Sequence, residues 1–262
     1  MTLHHHNDGK EKFEQQADNS RSDILPFIEK TKKITPDTKV FEMGCGEGGV
    51  LVPFIERGCH CLGADLDASR IAWAHKLFEK EIAAGKVEFL YKNIYDEDFL
   101  VKYKNSFDII ILKDVIEHIP EQEKFIPYLK KFLRAGGLIF FGFPPWYMPF
   151  GGHQQVAHHK IAMMPYYHIL PRPVYKQVLK MFGESDVMVE GLLEIYDTRI
   201  SIERFEKIVR DSGMRVLYKQ HYLLNPIYRY KFGWKPRKQW KPVTYIPFFR
   251  NFITTCVYYS VG

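Results

Sequence analysis

The chain has 262 residues, of which 46% are hydrophobic and 15% aromatic, so it is long enough to bury a substantial core and is unlike disordered proteins. The whole chain carries a net charge of +6, and residues 212–262 contain nine Lys and Arg and no acid, so the first 211 residues carry −3. The opening MTLHHHNDGKEKFEQQ lacks an apolar segment, which argues against a signal peptide. Four cysteines without a C-x-x-C pair predict reduced, cytosolic thiols, and we expect a cytoplasmic protein.

The longest uncharged stretch, residues 135–152, contains Pro144, Pro145 and Pro149 and two glycine pairs. These residues would break a helix that crossed a membrane. We therefore predict no transmembrane segment.

Apolar, strand-like runs alternate with helix-periodic stretches through residues 1–143. A short amphipathic helix containing Ile24, Phe27 and Ile28 is expected to come first and to fold over the ligand cleft. The predicted strands are TKVFEM, CHCLGAD, KVEFLY, FDIIIL and GGLIFFGF, with helices near 47–57, 68–84 and 121–134. This alternation predicts a parallel, doubly wound α/β sheet whose ligand lies beyond the carboxyl ends of the strands.

The pattern changes in residues 144–198, which mix Pro, aromatic, Met and His residues. We predict a lid and substrate insertion here, with one helix at 173–182 and irregular structure from there to Thr198.

Alternation resumes in residues 199–262, with a helix in SIERFEKIVRDSG capped by Ser201 and strands in MRVLYKQHYLL and FITTCVYYSV. These residues are expected to complete one seven-stranded, Rossmann-like sheet with its last strand antiparallel. Residues 225–249 are expected to form a basic, aromatic insertion within this part, while residues 1–143 form the cofactor-binding half.

The segment VFEMGCGEGGVL places four glycines in six positions directly after the first strand. Gly44, Gly46 and Gly49 satisfy the G-x-G-x-x-G fingerprint of a dinucleotide site, and Asp65 follows at the distance of a ribose-binding acid. Glu42, immediately before the glycines, would repel a diphosphate. The same charge would favour S-adenosylmethionine, which carries an ammonium and a sulfonium and no phosphate, over a nicotinamide cofactor.

Successive segments VFEMGCGEGG, CLGADLD, FDIIILKDVIEHI and LKKFLRAGGLIFFGFP resemble the motifs of class I S-adenosylmethionine-dependent methyltransferases. The resemblance covers residues 38–143 and extends to the ubiquinone-biosynthesis O-methyltransferases. It implies that Glu42 is the acid ending the first strand and that Asp65 binds both ribose hydroxyls. Asn93 departs from the family pattern, because an acid usually binds the adenine amine there. The positions that the resemblance assigns to the cofactor are Glu42, Gly44, Cys45, Gly46, Asp65, Leu66, Asn93, Ile94 and Lys113.

Asp114, Glu117 and His118 form a D-x-x-E-H sequence at the end of the fourth strand. It resembles the E-x-x-E-H of metal-assisted O-methyltransferases, although "EHI" also occurs across the wider family without a metal. We expect His118 to be a general base or substrate contact. The alternative is a divalent metal ion held by Asp114, Glu117, His118 and His153.

His153 is the second candidate base, because Gly151 and Gly152 allow a tight bend just after the fifth strand. Since connections after adjacent strands open onto one crevice, we predict that His118 and His153 approach each other. The insertion also contains His158, His159 and His168, which are alternative candidates for the base but are expected to be surface histidines. Four apolar residues could stack on a substrate or form the core of the lid: Trp146, Tyr147, Met148 and Phe150.

"FPPW" resembles the catalytic tetrapeptide of enzymes that methylate nucleic-acid bases, but that motif follows the fourth strand and here it follows the fifth. We therefore expect O-methylation of a small-molecule or lipid-linked acceptor. The alternatives are an RNA methyltransferase, an NAD-dependent oxidoreductase and a scaffold that only binds cofactor. The basic, aromatic C-terminal part suits an anionic partner such as RNA, lipid phosphate or a membrane surface, so peripheral membrane contact is expected.

Overall fold

The computed structural model describes residues 2–262, with side chains from residue 9 onward. Met1 and the side chains of residues 2–8 lie outside the described residues. They belong to the opening segment, for which no signal peptide is expected. Within residues 2–262, no helix combines the length and the apolar character that a membrane span requires.

One eight-stranded sheet organises the molecule, in the order β3-β2-β1-β4-β5-β8-β6-β7. Six strands run parallel, and β8 lies antiparallel between β5 and β6. The strands are β1 (Lys39–Met43), β2 (His60–Asp65), β3 (Val87–Tyr91), β4 (Phe107–Lys113), β5 (Leu133–Phe143), β6 (Val216–Leu224), β7 (Arg237–Lys238) and β8 (Cys256–Val261).

The predicted doubly wound α/β fold with an antiparallel last strand is confirmed, but the count of seven strands is wrong. The eighth is β7, which lies inside the predicted basic insertion and pairs with β6 at the edge of the sheet. A two-residue strand has no sequence periodicity of its own, so only pairing with β6 defines it.

The central strands are apolar on both faces because helices cover both faces of a parallel sheet. In β4, Ile109, Ile110, Ile111 and Leu112 are all fully buried. The helices are α1 (Thr2–Asn19), α2 (Leu25–Ile28), α3 (Val52–Glu56), α4 (Ala68–Leu77), α5 (Glu79–Ala83), α6 (Glu97–Tyr103), α7 (Gln122–Leu129), α8 (Arg172–Met181), α9 (Asp186–Thr198), α10 (Ile202–Asp211), α11 (Tyr228–Phe232), α12 (Lys241–Thr244) and α13 (Phe249–Phe252).

The leading helix extends far beyond the predicted residues Ile24, Phe27 and Ile28. The chain stays helical from α1 through residues 20–24 into α2. This helical segment packs beside the glycine turn, where the Ser20 hydroxyl donates to the carbonyl of Val50 at 2.7 Å. The ring of Phe13 meets that of Phe78 edge to face at 5.7 Å between centroids. These contacts place α1 over the ends of the strands.

The insertion of residues 144–198 has its own small core, built from α8 and α9. The prediction of irregular structure up to Thr198 is wrong, because α9 occupies residues 186–198. Gly191 and the flanking Val residues weaken the helical signal in sequence. In the fold, Ser185 caps the helix by accepting from the N–H of Met188, and burial of its apolar face against α8 stabilises it.

Candidate active site

The glycine turn after β1 is closed by its own hydrogen bonds. Gly44 and Gly46 have φ angles of +68° and +53°, which glycine adopts without strain. The N–H groups of Gly44 and Cys45 both donate to the carbonyl of Ala64, at 2.8 and 3.2 Å. The N–H of Gly46 donates to Oδ2 of Asp65 at 2.7 Å. Three successive N–H groups of the turn are therefore already bound to neighbouring atoms of the protein.

Asp65 ends β2 with both carboxylate oxygens held in place. Oδ2 accepts from the N–H of Gly46, and Oδ1 accepts from the N–H of Asp67 at 2.9 Å. Because each carboxylate oxygen has a second lone pair, the group can still accept two further hydrogen bonds. Two donors spaced like the hydroxyls of a ribose fit this arrangement.

Glu42 lies beneath the same turn and is 2% exposed. Its Oε2 has no hydrogen-bond partner within the part of the chain that the structure describes. Burial first, and then the nearby carboxylates of Asp65 and Glu47, raise the pKa of Glu42 well above its usual range. A buried, unpartnered carboxyl of this kind would be stabilised in its charged form by a cation.

A cavity of about 140 Å³ opens beside the glycine turn and joins several predicted cofactor residues. Leu66 lies at its mouth, with 66% of its surface exposed. The Oδ1 of Asn93 accepts from the N–H of Tyr95 at 3.0 Å, which orients the side chain. The predicted positions that line this cavity are Gly44, Asp65, Leu66, Asn93 and Ile94.

Cys45 and Lys113 are placed differently from the other predicted positions. The Cys45 thiol is buried in the hydrophobic core, so only its backbone reaches the turn. Lys113 lies at the end of β4 in an ion pair with Asp114, with Nζ 2.5 Å from Oδ2. Burial alone would lower the pKa of Lys113, but Asp114, Cys256 and Glu117 together outweigh it and the pKa is raised.

Lys113 and Asp114 open onto a second cavity, of about 150 Å³, beneath α1. Its other lining residues come from distant parts of the sequence and were not predicted: Lys12, Gln15, Gln16, Asn19, Val50, Ile227 and Lys231. No local pattern marks these residues, because only the path of α1 and of the chain after β6 brings them together.

The prediction that His118 and His153 approach each other is confirmed, since their ring centroids are 5.0 Å apart. His118 belongs to the helical turn Ile116–His118 after β4, and the hydroxyl of Thr198 in α9 fixes that turn by donating to the carbonyl of Glu117 at 2.5 Å. His153 follows β5 in a left-handed conformation, with φ of +57°.

The surroundings of both imidazoles favour the neutral form. Burial lowers the pKa of His118 despite the nearby carboxylate of Asp114. Burial and the neighbouring His118 ring lower the pKa of His153 to about 4. A neutral imidazole has a free nitrogen lone pair, so each ring can accept a proton or bind a metal ion.

Glu117 lies directly beside this histidine pair. The side chain is 3% exposed, and neither carboxyl oxygen has a hydrogen-bond partner among residues 9–262. Burial first, and then Asp114, raise the pKa of Glu117 well above its usual range. One ligand atom each from Glu117, His118 and His153 lie within 4.8 Å of one another, so the metal alternative has a geometric basis.

The other histidines of the insertion have partners of their own. His168 is fully buried, with Nε2 2.7 Å from the carbonyl of Trp146, so the prediction of a surface histidine is wrong there. The ring of His158 contacts Glu184 at 3.1 Å, and that of His159 stacks on Phe182.

The aromatic residues and Met148 after β5 differ in burial. Trp146 and Met148 are 3% and 4% exposed, and Trp146 packs on Tyr196 of α9, which supports the lid-core interpretation for both. Tyr147 and Phe150 stay partly exposed.

Residues 41–141 match the protein family described as "Methyltransferase domain". Among curated proteins, the ubiquinone biosynthesis O-methyltransferase of Leptothrix cholodnii is 28% identical over 116 residues, which cover 44% of this chain and 48% of that protein. The protein of the same name from Rhizobium etli is 31% identical over 102 residues, which cover 39% of each. The chain thus spans about half, or less, of the length of these relatives.

Solved structures give a match over nearly the whole chain. The geranyl diphosphate C-methyltransferase of Streptomyces coelicolor A3(2), solved with Mg²⁺, geranyl diphosphate and S-adenosylhomocysteine, superposes with a TM-score of 0.57 at 13% identity, covering 91% of this chain and 78% of that one. The magnesium protoporphyrin IX methyltransferase of Synechocystis, with bound S-adenosylhomocysteine, superposes with a TM-score of 0.54 at 13% identity, covering 94% and 83%.

The fold is therefore that of the S-adenosylmethionine-dependent methyltransferases. By sequence, residues 41–141 match a methyltransferase domain, and the resemblance to ubiquinone-biosynthesis O-methyltransferases is confirmed.

Proposed function

We propose that this protein transfers a methyl group from S-adenosylmethionine to a hydroxyl oxygen of a small-molecule or lipid-linked acceptor. The observation that carries the proposal is the closed glycine turn above Glu42. A dinucleotide site needs free N–H groups for its diphosphate. Here the N–H groups of residues 44–46 are already donated to Ala64 and Asp65, and a carboxyl group lies below them.

The residues around the turn fit S-adenosylmethionine. Asp65 would bind the ribose hydroxyls, Leu66 and Ile94 would flank the adenine, and Asn93 would meet its edge. The unpartnered Oε2 of Glu42 favours the positive charge of this cofactor. When bound, S-adenosylmethionine supplies a methyl carbon that the adjacent sulfonium makes electrophilic.

His118 and His153 are the proposed base and its orienting partner. Methyl transfer to oxygen requires that the acceptor hydroxyl lose its proton, and a neutral imidazole at the cleft mouth can accept it. The two rings are neutral, adjacent and held by separate turns, so one can position the other. If a divalent ion is used instead, Glu117, His118 and His153 would hold it.

Two observations support a small-molecule or lipid-linked acceptor: the names of the relatives and the composition of the lid. The curated relatives are named for O-methylation in ubiquinone biosynthesis, and the C-methyltransferase structure holds geranyl diphosphate. Residues 144–198 build an apolar lid beside the histidine pair, which suits a small or lipid-linked acceptor better than a polymer. A cytoplasmic protein in peripheral contact with a membrane would have access to such an acceptor.

Two measurements test the proposal. Calorimetry should detect S-adenosylhomocysteine binding and no NADH binding, and the reverse result would identify an oxidoreductase. A screen of lysate fractions with methyl-labelled cofactor should then place the label in the lipid or small-molecule pool. Label found only in RNA would establish the RNA methyltransferase alternative, and cofactor binding without any labelled product would support a scaffold.

Glu42→Gln should stabilise the cofactor-free protein and weaken cofactor binding. Because the folded-state pKa of Glu42 is raised, its favourable contribution to stability is fully present below pH 4.5 and is lost as the pH rises through that raised pKa. Gln does not titrate, so the stability of the variant relative to the wild type should increase between pH 5 and pH 8 in urea unfolding.

The control for this experiment is Glu88→Gln on β3, which removes an exposed carboxylate whose ion pair with Lys102 should contribute about 1 kcal/mol or less. Tighter binding of S-adenosylhomocysteine by Glu42→Gln would contradict the proposed role of the Glu42 charge.

A further inference from the structure

We propose that residues 231–249 form a docking surface for an anionic lipid bilayer. This docking surface begins in the last residues of α11, includes β7 and α12, and ends at the first residue of α13. It lies at the β7 edge of the sheet, at the opposite end from β3.

The docking surface is positively charged and has no acidic residue. Its five cations are exposed, and none forms an ion pair with any residue from 9 to 262: they are Lys231, Lys235, Arg237, Lys238 and Lys241. The neighbouring Arg229 and Arg250, by contrast, pair with Asp23 and with Glu203 and Glu206. The docking surface therefore carries a formal net charge of +5 with no acidic residue to offset it.

Large apolar side chains are interspersed with these cations and face solvent. Those exposed by 48 to 80% are Phe232, Trp234, Trp240, Tyr245, Ile246, Phe248 and Phe249. A cluster of exposed, large apolar side chains marks an interaction site. Lys and Arg beside Trp and Phe are the combination that binds at the lipid headgroup boundary.

The apolar tip Ile246–Phe249 is held in its exposed position by the helix behind it. The N–H of Phe248 donates to Glu203 of α10 at 2.9 Å, and Asn251 and Arg250 bind the same carboxylate. Phe248 adopts a φ of +62°, a conformation that costs free energy in a non-glycine residue. This anchoring keeps the rings from folding back onto the protein.

The structure favours a bilayer over RNA as the partner. The sequence IPFF, residues 246–249, presents consecutive apolar groups with no hydrogen-bond donor, which suits the acyl boundary of a membrane. A groove of about 920 Å³ beside it is lined by Arg237, Lys238, Trp240 and Lys241, where lipid phosphates can be bound.

One end of the docking surface adjoins the cavity beneath α1. Lys231 lines the same cavity as Lys113 and Asp114, and Tyr230 donates a hydrogen bond at 3.3 Å to Ser22, in the segment that follows α1. A bilayer bound here would lie beside the cleft in which the proposed acceptor reacts.

Vesicle co-sedimentation without cofactor or acceptor tests the docking surface. Binding should be much stronger to vesicles containing phosphatidylglycerol than to pure phosphatidylcholine, and should weaken with salt. Each cation at an anionic surface changes the affinity roughly fivefold, so Lys238→Gln with Lys241→Gln should weaken binding about 30-fold. Phe248→Ser with Phe249→Ser should weaken binding at high salt as well, because these rings contribute by insertion.

The matched control is Lys80→Gln with Lys86→Gln, which removes two exposed cations at the opposite end of the sheet. Equal loss in this control, or equal binding to both kinds of vesicle, would overturn the proposal. So would a single-stranded RNA that binds more tightly and displaces the vesicles. Since no methyl transfer is measured, the docking surface and the proposed activity can fail independently.

Discussion

Replacing either histidine of the pair, His118→Ala or His153→Ala, should lower turnover on a hydroxyl acceptor about 10²-fold while the affinity for S-adenosylhomocysteine is nearly unchanged. The reason is geometric: the rings lie at the cleft mouth, whereas the cavity attributed to the adenosine part is lined by other residues. Because both pKa values are lowered, the acid limb of the wild-type rate profile should lie below pH 6.5. Turnover and calorimetric affinity are measured on the same preparations.

The control is His60→Ala, an exposed histidine at the start of β2, away from the carboxyl ends of the strands. It should retain full activity. If both members of the pair remain fully active as alanine variants, neither is the base.

A chelator separates the base from the metal alternative. Proton acceptance by the histidine pair needs no ion, so turnover should survive treatment with chelator. Loss of activity that added Mg²⁺ or Mn²⁺ restores would instead assign Glu117, His118 and His153 to a metal site. If Glu117 is a metal ligand, Glu117→Gln should abolish the activity that the metal restores. If Glu117 is a protonated carboxyl without a metal, Glu117→Gln should retain turnover.

Asp65→Ala should weaken S-adenosylhomocysteine binding by about 3 kcal/mol, or about 10²-fold, because two ribose hydroxyls would lose a charged acceptor. Asp65→Asn, which keeps one acceptor oxygen, should have an intermediate effect. Calorimetry gives both values.

Asp67→Ala is the matched control for the Asp65 variants. Asp67 caps α4 by accepting from the N–H groups of Ser69 and Arg70, so its loss should cost about 1 kcal/mol of stability. Its backbone N–H, which holds Asp65, is unchanged in the variant. Equal loss of affinity in both variants would show that Asp65 acts only through the local fold.

Local pattern was enough to predict most of the fold. Apolar runs locate strands β1 to β6 and β8. These runs are nearly continuous in strands buried on both faces, such as β4 and β8, and alternate with polar residues in β3 and β6. The sequence of α10 places Ile202, Phe205 and Val209 on one face, and all three are buried. The pair formed by His118 and His153 followed from topology, because the loops after adjacent parallel strands open onto one cleft.

The sequence by itself thus determined the order of the strands along the chain, the glycine turn and the acids Glu42 and Asp65 beside it, because neighbouring residues encode these features. Only the tertiary structure decided which groups became buried or brought together from distant segments. It buried Glu117, which raises the pKa of that carboxyl, it bound the N–H groups of residues 44–46 to Ala64 and Asp65, and it placed Lys231 in the cavity beside Lys113 and Asp114. Burial and long-range proximity depend on the path of the whole chain, and no local pattern records that path.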